Sequence, residues 1–268
     1  MKLSVIIFSK DRACQLELLL RSIKIFFMGW EDVNINIIYK HTDEKFKLGY
    51  DLVKKIHPQF NYILEKKDKF MKQTLDCINN SEENIVFFVD DDVFKEKFSL
   101  KNENIQTFEN NTKILCASLR LAPQINYSYT RNTHVNPPVC DENLIWDWQK
   151  IKHVSLWGYP MSVDGHIFRK SDILDVFKKI KFTNPNSLEH ALSKNPINKK
   201  YMICFPKPII MNIPWNKVQN ENENHSENIN QEDINKIFLS GKIISLDKIV
   251  KMKNHSTHEN VELSFINN

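Results

Sequence analysis

The sequence predicts an α/β protein with a mostly parallel sheet and helices on both faces. Three observations carry this. Strand-like and helix-like segments alternate through the first 92 residues. The strand-like segments are continuous apolar runs, as strands covered on both faces require. The fourth of them ends in three consecutive aspartates, Asp90-Asp91-Asp92, at the sheet edge where α/β folds bind ligands.

Each element has its own signal. Leu3–Phe8 is the first apolar, β-branched run, and Leu16, Leu19, Leu20, Ile23, Phe26 and Phe27 follow at helical spacing. Asn34–Tyr39 reads as the second strand. Phe46, Leu52, Val53 and Ile56 mark a helix that must end before Pro58. Asn61–Leu64 is a third strand, Phe70, Met71, Leu75 and Ile78 a third helix, and Ile85–Val89 the fourth strand. This order predicts right-handed βαβ crossovers. Ile114–Leu119 reads as a strand, residues 120–145 as loop, Met161–Phe168 as a strand, and Asp172–Ile180 as a helix capped by Ser171. Ser187–Ser193 reads as a short helix, and Tyr201–Phe205 and Lys207–Ile213 as short strands. Residues 219–232 are polar and of low complexity. Ile234–Leu239 reads as a helix closed by Gly241, and Val261–Ile266 as an edge strand. The expected organisation is one domain: residues 1–100 as one half, 101–218 as a more irregular half, and 219–268 as a polar loop with a final helix and strand.

Composition narrows the class. The 268 residues are 41% hydrophobic and 26% charged, which excludes wholesale disorder, collagen-like and coiled-coil readings. Only 5 glycines occur, with no GxGxxG or GxxxxGK[ST] phosphate loop. The net charge of +4 permits a nucleic-acid partner without requiring one. The five cysteines, Cys14, Cys77, Cys116, Cys140 and Cys204, are odd in number and lack CxxC spacing, so neither a disulfide framework nor a zinc site is indicated. No run is long enough for a transmembrane helix and the first apolar run is too short for a signal peptide, so the expected location is the cytoplasm.

Three carboxylates at the end of a buried strand repel one another and resist desolvation. A hard divalent cation, Mg²⁺ or Mn²⁺, removes that penalty, using one or two carboxylates and substrate phosphates. A solvated acidic turn is the bland alternative.

Two segments, VIIFSKDR (5–12) and VFFVDDDVF (86–94), resemble the GT-A glycosyltransferases, especially their family 2-like members. These open with an apolar strand and a P-x-Y-N-R type turn, and carry an aspartate-x-aspartate motif about eighty residues later. The resemblance continues more loosely through LWGYPMSVDGHIFRKSDIL (156–174), NPNSLEHAL (184–192) and NIPWNKVQ (212–219). It implies a GT-A-like fold and transfer of a sugar from a nucleotide-diphosphate sugar to an acceptor hydroxyl. The default acceptor is a glycan precursor, and a modified base in phage-type DNA is a minority alternative. The resemblance places Asp92 on the metal, and Asp90 on the ribose or on the metal through water, with Asp91 beside it. Ser9 to Arg12 would line the nucleotide pocket, although Arg12 could instead pair with Asp11 at the surface. Asp43 and Lys67 (with Lys66 and Lys69) would lie near the base or ribose. Glu189 would be the general base, with Asp164 as its rival. A helix-start glutamate capped by Ser187 is the plain reading of Glu189, and an Asp-Gly turn that of Asp164. A late histidine would complete the metal set: His225, with His255, His258 and His166 as other choices. Trp157 is the favoured aromatic for stacking on a sugar. The competing readings are a haloacid-dehalogenase-like phosphatase or other metal-dependent phosphotransfer enzyme, and a non-catalytic nucleotide-binding protein.

Overall fold

The computed structural model describes residues 1–151, 156–216 and 230–268. An eight-stranded sheet runs through it. From one edge to the other, its strands are Ile145–Asp147, Tyr201–Ile203, Ile114–Ser118, His166–Arg169, Asn84–Val89, Leu3–Lys10, Asn34–Lys40 and Asn61–Leu64. The last four pair in parallel, each joined to the next in sequence by a helix: Ala13–Phe26, Glu44–Ile56 and Phe70–Asn79. The expected α/β class and its three crossovers are therefore what the chain adopts.

Period-two alternation explains how the first strand serves two cores. Leu3, Val5 and Ile7 enter one buried cluster, while Ile6 and Phe8 enter the other. Phe88 and Phe87 divide in the same way. Each face needs its own helical cover, which is why the run is apolar throughout. The Ala13–Phe26 helix is buried through most of its first three turns, as far as Ile23. It also buries Glu17, which is held by Arg21 at 2.9 Å and lies 3.5 Å from His57.

The second half departs from the parallel pattern. The His166–Arg169 strand inserts antiparallel between Asn84–Val89 and Ile114–Ser118. The expected Met161–Phe168 strand is therefore shorter and later. Its first residues form a turn in which Gly165 has φ +70° and a Cβ would meet Ile210 Cδ1 at 2.2 Å. The following helix spans Lys170–Lys179, so Ser171 lies inside it and does not cap it. The short helix begins earlier than expected, at Pro185. Asn184 is its cap and Ser187 the third-position partner of a capping box. Of Val261–Ile266, only the end takes part in a strand, Phe265–Asn267, paired with Lys242–Ile244. A small ladder between Asp92–Phe94 and Ile210–Asn212 fixes the chain just after the aspartates. Among the described residues, no helix is long and apolar enough to cross a membrane.

Candidate active site

The strand ends dictate where the charges meet. The first strand and Asn84–Val89 run parallel and in register, so Lys10 and Asp90 emerge at the same edge. The backbone N–H of Lys10 donates to Asp90 Oδ2 at 3.0 Å. Arg12, at the start of the first helix, is buried. Its Nη1 donates to Asp90 Oδ1 at 3.1 Å and to Asp91 Oδ2 at 2.8 Å, and its Nη2 donates to the Asn216 carbonyl. The surface pairing of Arg12 with Asp11 is thereby corrected. Asp11, with φ +55°, turns away and accepts from the Thr42 N–H at 2.7 Å. Ser9 Oγ shares a 2.7 Å hydrogen bond with Tyr50 Oη.

The three aspartates have different surroundings. Burial pushes Asp90 up to about 6 against the pull of Arg12. Asp91 is the least buried of them, its side chain 13% exposed, and it accepts from Asn212 Nδ2 at 2.9 Å. Asp92 is fully enclosed and accepts from the Val89 N–H at 2.9 Å. Burial, and then the neighbouring charge of Asp164, raise Asp92 well above the carboxylate range. Asp164 shifts the opposite way. Burial opposes its ionisation, but the Arg120 guanidinium, a hydrogen bond with Asp92 and nearby His258 hold it below the usual value. The two neighbouring carboxyls are thus pushed in opposite directions, Asp92 toward the neutral form and Asp164 toward the ionised one.

Glu189 projects from the second turn of the Pro185–Ser193 helix, not from its start. Its Oε1 accepts from Ser162 Oγ at 2.6 Å and from the Val163 N–H at 3.3 Å. Burial raises its pKa, with Ser162 and Arg120 pulling the other way and Asp164 adding to the rise. Ser162 and Val163 lead directly into Asp164, so Glu189 and Asp164 are held by one turn. Gly165 lets that turn send Asp164 toward Asp92 and His166 inward. His166 is buried in the core, its Nδ1–H donating to the Pro160 carbonyl at 3.0 Å, and burial pushes its pKa down to about 3.

The late histidine that reaches the cluster is His258. Its Nδ1 lies 3.1 Å from Thr257 Oγ1 and its ring stacks on Tyr129. Burial lowers its pKa although Asp164 and Asp91 oppose the change, so the imidazole is neutral near pH 7. The segment carrying it is tied to the fold: the Asn212 N–H donates to the Thr257 carbonyl and the Glu259 N–H to the Asn212 carbonyl. Lys95 Nζ binds the Met252 carbonyl and Asn254 Oδ1 from below. His225 lies outside the described residues.

Ser9, Arg12, Asp90, Asp91, Asp92, Asp164 and Glu189 therefore converge. Asp43 and Lys67 do not join them. Asp43 caps the second helix by accepting from the Phe46 N–H at 3.0 Å, and Lys67 is exposed in the turn after the third strand. Trp157 is fully buried, donating to the Ile125 carbonyl and packed edge-on to Trp146, so it offers no face to a sugar. Arg120, Asn212, Asn216 and Ser162 are contributors that sequence reasoning missed. Arg120 had a signal, being a cation directly after the Ile114–Leu119 apolar run.

Among the described residues no three His, Cys, Asp or Glu side chains stand in a ready ligating arrangement. The donor set nonetheless suits a hard divalent cation: crowded carboxyls, a neutral imidazole, and Asp164 Oδ1 buried without a partner. Arg12 Nε, Arg120 Nε and Asn216 Nδ2 are buried and unsatisfied as well, a concentration that marks a place awaiting polar atoms.

A mostly parallel α/β sheet whose strand ends carry paired aspartates, a buried arginine and a helix-borne glutamate is what the resemblance to the GT-A glycosyltransferases leads one to expect. Sequence comparison finds a glycosyltransferase. The chain is 25% identical over 281 residues to the bifunctional glycosyltransferase pgtA of Dictyostelium discoideum, taking in 91% of this chain. The chain spans 36% of that curated relative's length. No protein-family model matches it. Among solved structures, TarS of S. aureus superposes with a TM-score of 0.49 at 15% identity over 76% of this chain and 35% of that one. The mannosyltransferase PcManGT from Pyrobaculum calidifontis, in complex with GDP-Man and Mn²⁺, gives 0.42 at 12% over 76% and 55%. The fold class rests on the strand order itself.

Proposed function

We propose that this chain is a metal-dependent glycosyltransferase, moving a sugar from a nucleotide-diphosphate sugar to an acceptor hydroxyl. The observation that carries the reading is the meeting of Asp90–Asp92, Arg12, Asp164, His258 and Glu189 at one sheet edge. Curated relatedness to a glycosyltransferase supports it. Asp91 and Asp92 would hold Mn²⁺ or Mg²⁺ with His258. The ion would offset the charge of the donor diphosphate. Burial disfavours the ionised Asp92 that a cation needs, so cation binding should weaken as the pH falls. Arg12 fixes Asp90 toward the nucleotide side.

Glu189 takes the hydroxyl proton as the acceptor oxygen bonds to the anomeric carbon. The bond from that carbon to the diphosphate breaks, and its electron pair leaves with the nucleoside diphosphate. A raised pKa makes Glu189 a better base than Asp164, whose carboxylate is stabilised by Arg120. A glycan precursor is the default acceptor of such a reaction.

The test is calorimetric titration of UDP-, GDP- and CDP-sugars with and without Mn²⁺, followed by turnover. Asp91→Asn should lose the metal-dependent part of donor affinity. Glu189→Gln should keep that affinity and lose about 10²–10⁴-fold in turnover. Donor affinity unchanged by chelation would reject the metal role. Near-normal turnover in folded Glu189→Gln would move the proton to Asp164.

A further inference from the structure

A concavity opens at the end of the strands opposite the aspartates. It lies between the sheet edge and the Phe70–Asn79 helix, with a volume of about 330 Å³, at the lower end for ligand cavities. Side chains alternate along a strand, so Asn34, Asn36 and Ile38 share one face of the second strand, and Asn61 and Ile63 share it on the third. Toward the aspartate end this face is apolar: Ile38 packs with Ile6 and Phe8. At the other end it turns to carboxamides, where a helix-covered sheet face is ordinarily aliphatic.

These amides form a chain. Asn61 Nδ2 donates to Asn36 Oδ1 at 2.6 Å, and Asn36 Nδ2 donates to Asn34 Oδ1 at 3.3 Å. Asn36 is thereby committed, while Asn61 keeps an acceptor and Asn34 keeps donors. The helix side adds Asn80, whose Nδ2 donates to the Asp76 carbonyl, leaving its own oxygen. Ile63 and Cys77 supply an apolar patch between them.

We infer that this groove is a carbohydrate-binding site for a neutral oligosaccharide. A carboxamide presents a donor and an acceptor side by side, and a sugar hydroxyl is both donor and acceptor, so the two chemistries match. The apolar patch suits the C–H face of a pyranose. Among the described residues no cation lines the groove, and Asp76, which does, is paired with Lys72 at 2.9 Å, so phosphate and acidic sugars find no counter-charge there. Among the same residues no aromatic ring lines it, which disfavours a stacked base. Six strand steps separate Asn34 from Lys40, so the groove is roughly 20 Å along the strand direction from the transfer site. It is a separate site, and the inference stands whether or not the chain transfers sugar.

The test is retention of the full chain on immobilised neutral and acidic oligosaccharides, without nucleotide donor and in EDTA. At least one neutral glycan should be retained, and Asp91→Asn should be retained equally. The exposed pair Asn61→Ala/Asn80→Ala should weaken retention about tenfold, as loss of two hydrogen bonds implies, in protein whose melting temperature is measured alongside because Asn61 also donates to Asn36. A melting temperature lowered in that pair would be met with Asn80→Ala alone, which leaves the Asn61–Asn36–Asn34 chain intact and should weaken retention too. No retained neutral glycan, retention of acidic glycans alone, or retention unchanged in these variants overturns the inference.

Discussion

In the proposed reaction Glu189 is the base, and Arg120 is the neighbouring charge that favours its ionised form. Burial raises Glu189, so on lowering the pH a Glu189-dependent rate should fall before the ordinary carboxylate value of about 4.3 is reached. A general base acts ionised, and activity is lost as pH drops through its raised pKa. Arg120 favours the ionised form, so Arg120→Met should move the acidic limb of the kcat profile to higher pH. A pH–rate profile of the variant checks this, and a limb that stays put would detach Arg120 from Glu189. The aspartate triplet and Arg12 could be read from the sequence because their signals are local: a charged run directly after an apolar strand. Asp164, Glu189 and His258 could only be guessed at. Their roles depend on a turn at Gly165 and on hydrogen bonds from Ser162 and Thr257, contacts that no short-range pattern encodes.

At the scale of elements, the Met252–Val261 segment matters most, because it brings His258 to the carboxyls. It has no regular secondary structure to hold it. Lys95 is buried against the Met252 carbonyl and Asn254, and Trp215 Nε1 donates to the Val261 carbonyl. Lys95→Met should free the segment while leaving the sheet intact. Hydrogen exchange should quicken over residues 254–259, and metal-dependent donor affinity should drop about 10–100-fold, the usual effect of losing a support behind a ligand. Unchanged exchange would show that the segment holds itself. The crossover helices were readable because their apolar period is strong. The antiparallel His166–Arg169 strand was misplaced because four residues carry too little periodicity to fix a boundary.

On the scale of the whole molecule, the two halves interlock. Residues 1–100 supply four neighbouring strands, but the fourth, Asn84–Val89, finds its second partner only in His166–Arg169. One core cluster mixes Ile6, Phe8 and Phe87 with Trp146, Phe168 and Phe177. A fragment of residues 1–100 should therefore lack near-ultraviolet dichroism and associate through its open strand edge. A monomeric fragment with a cooperative melt would show the halves to be separate domains.

The same insertion has a consequence for synthesis. The Asn84–Val89 strand leaves the ribosome roughly 80 residues before the strand that covers its flank. At about 5–20 residues per second, that is a delay of about 4–16 s. Throughout it, the nascent sheet presents an unpaired row of backbone donors and acceptors beside Phe87. Codon choice across residues 90–165, by setting the length of that pause, would then govern how much of the chain reaches its native form without a chaperone.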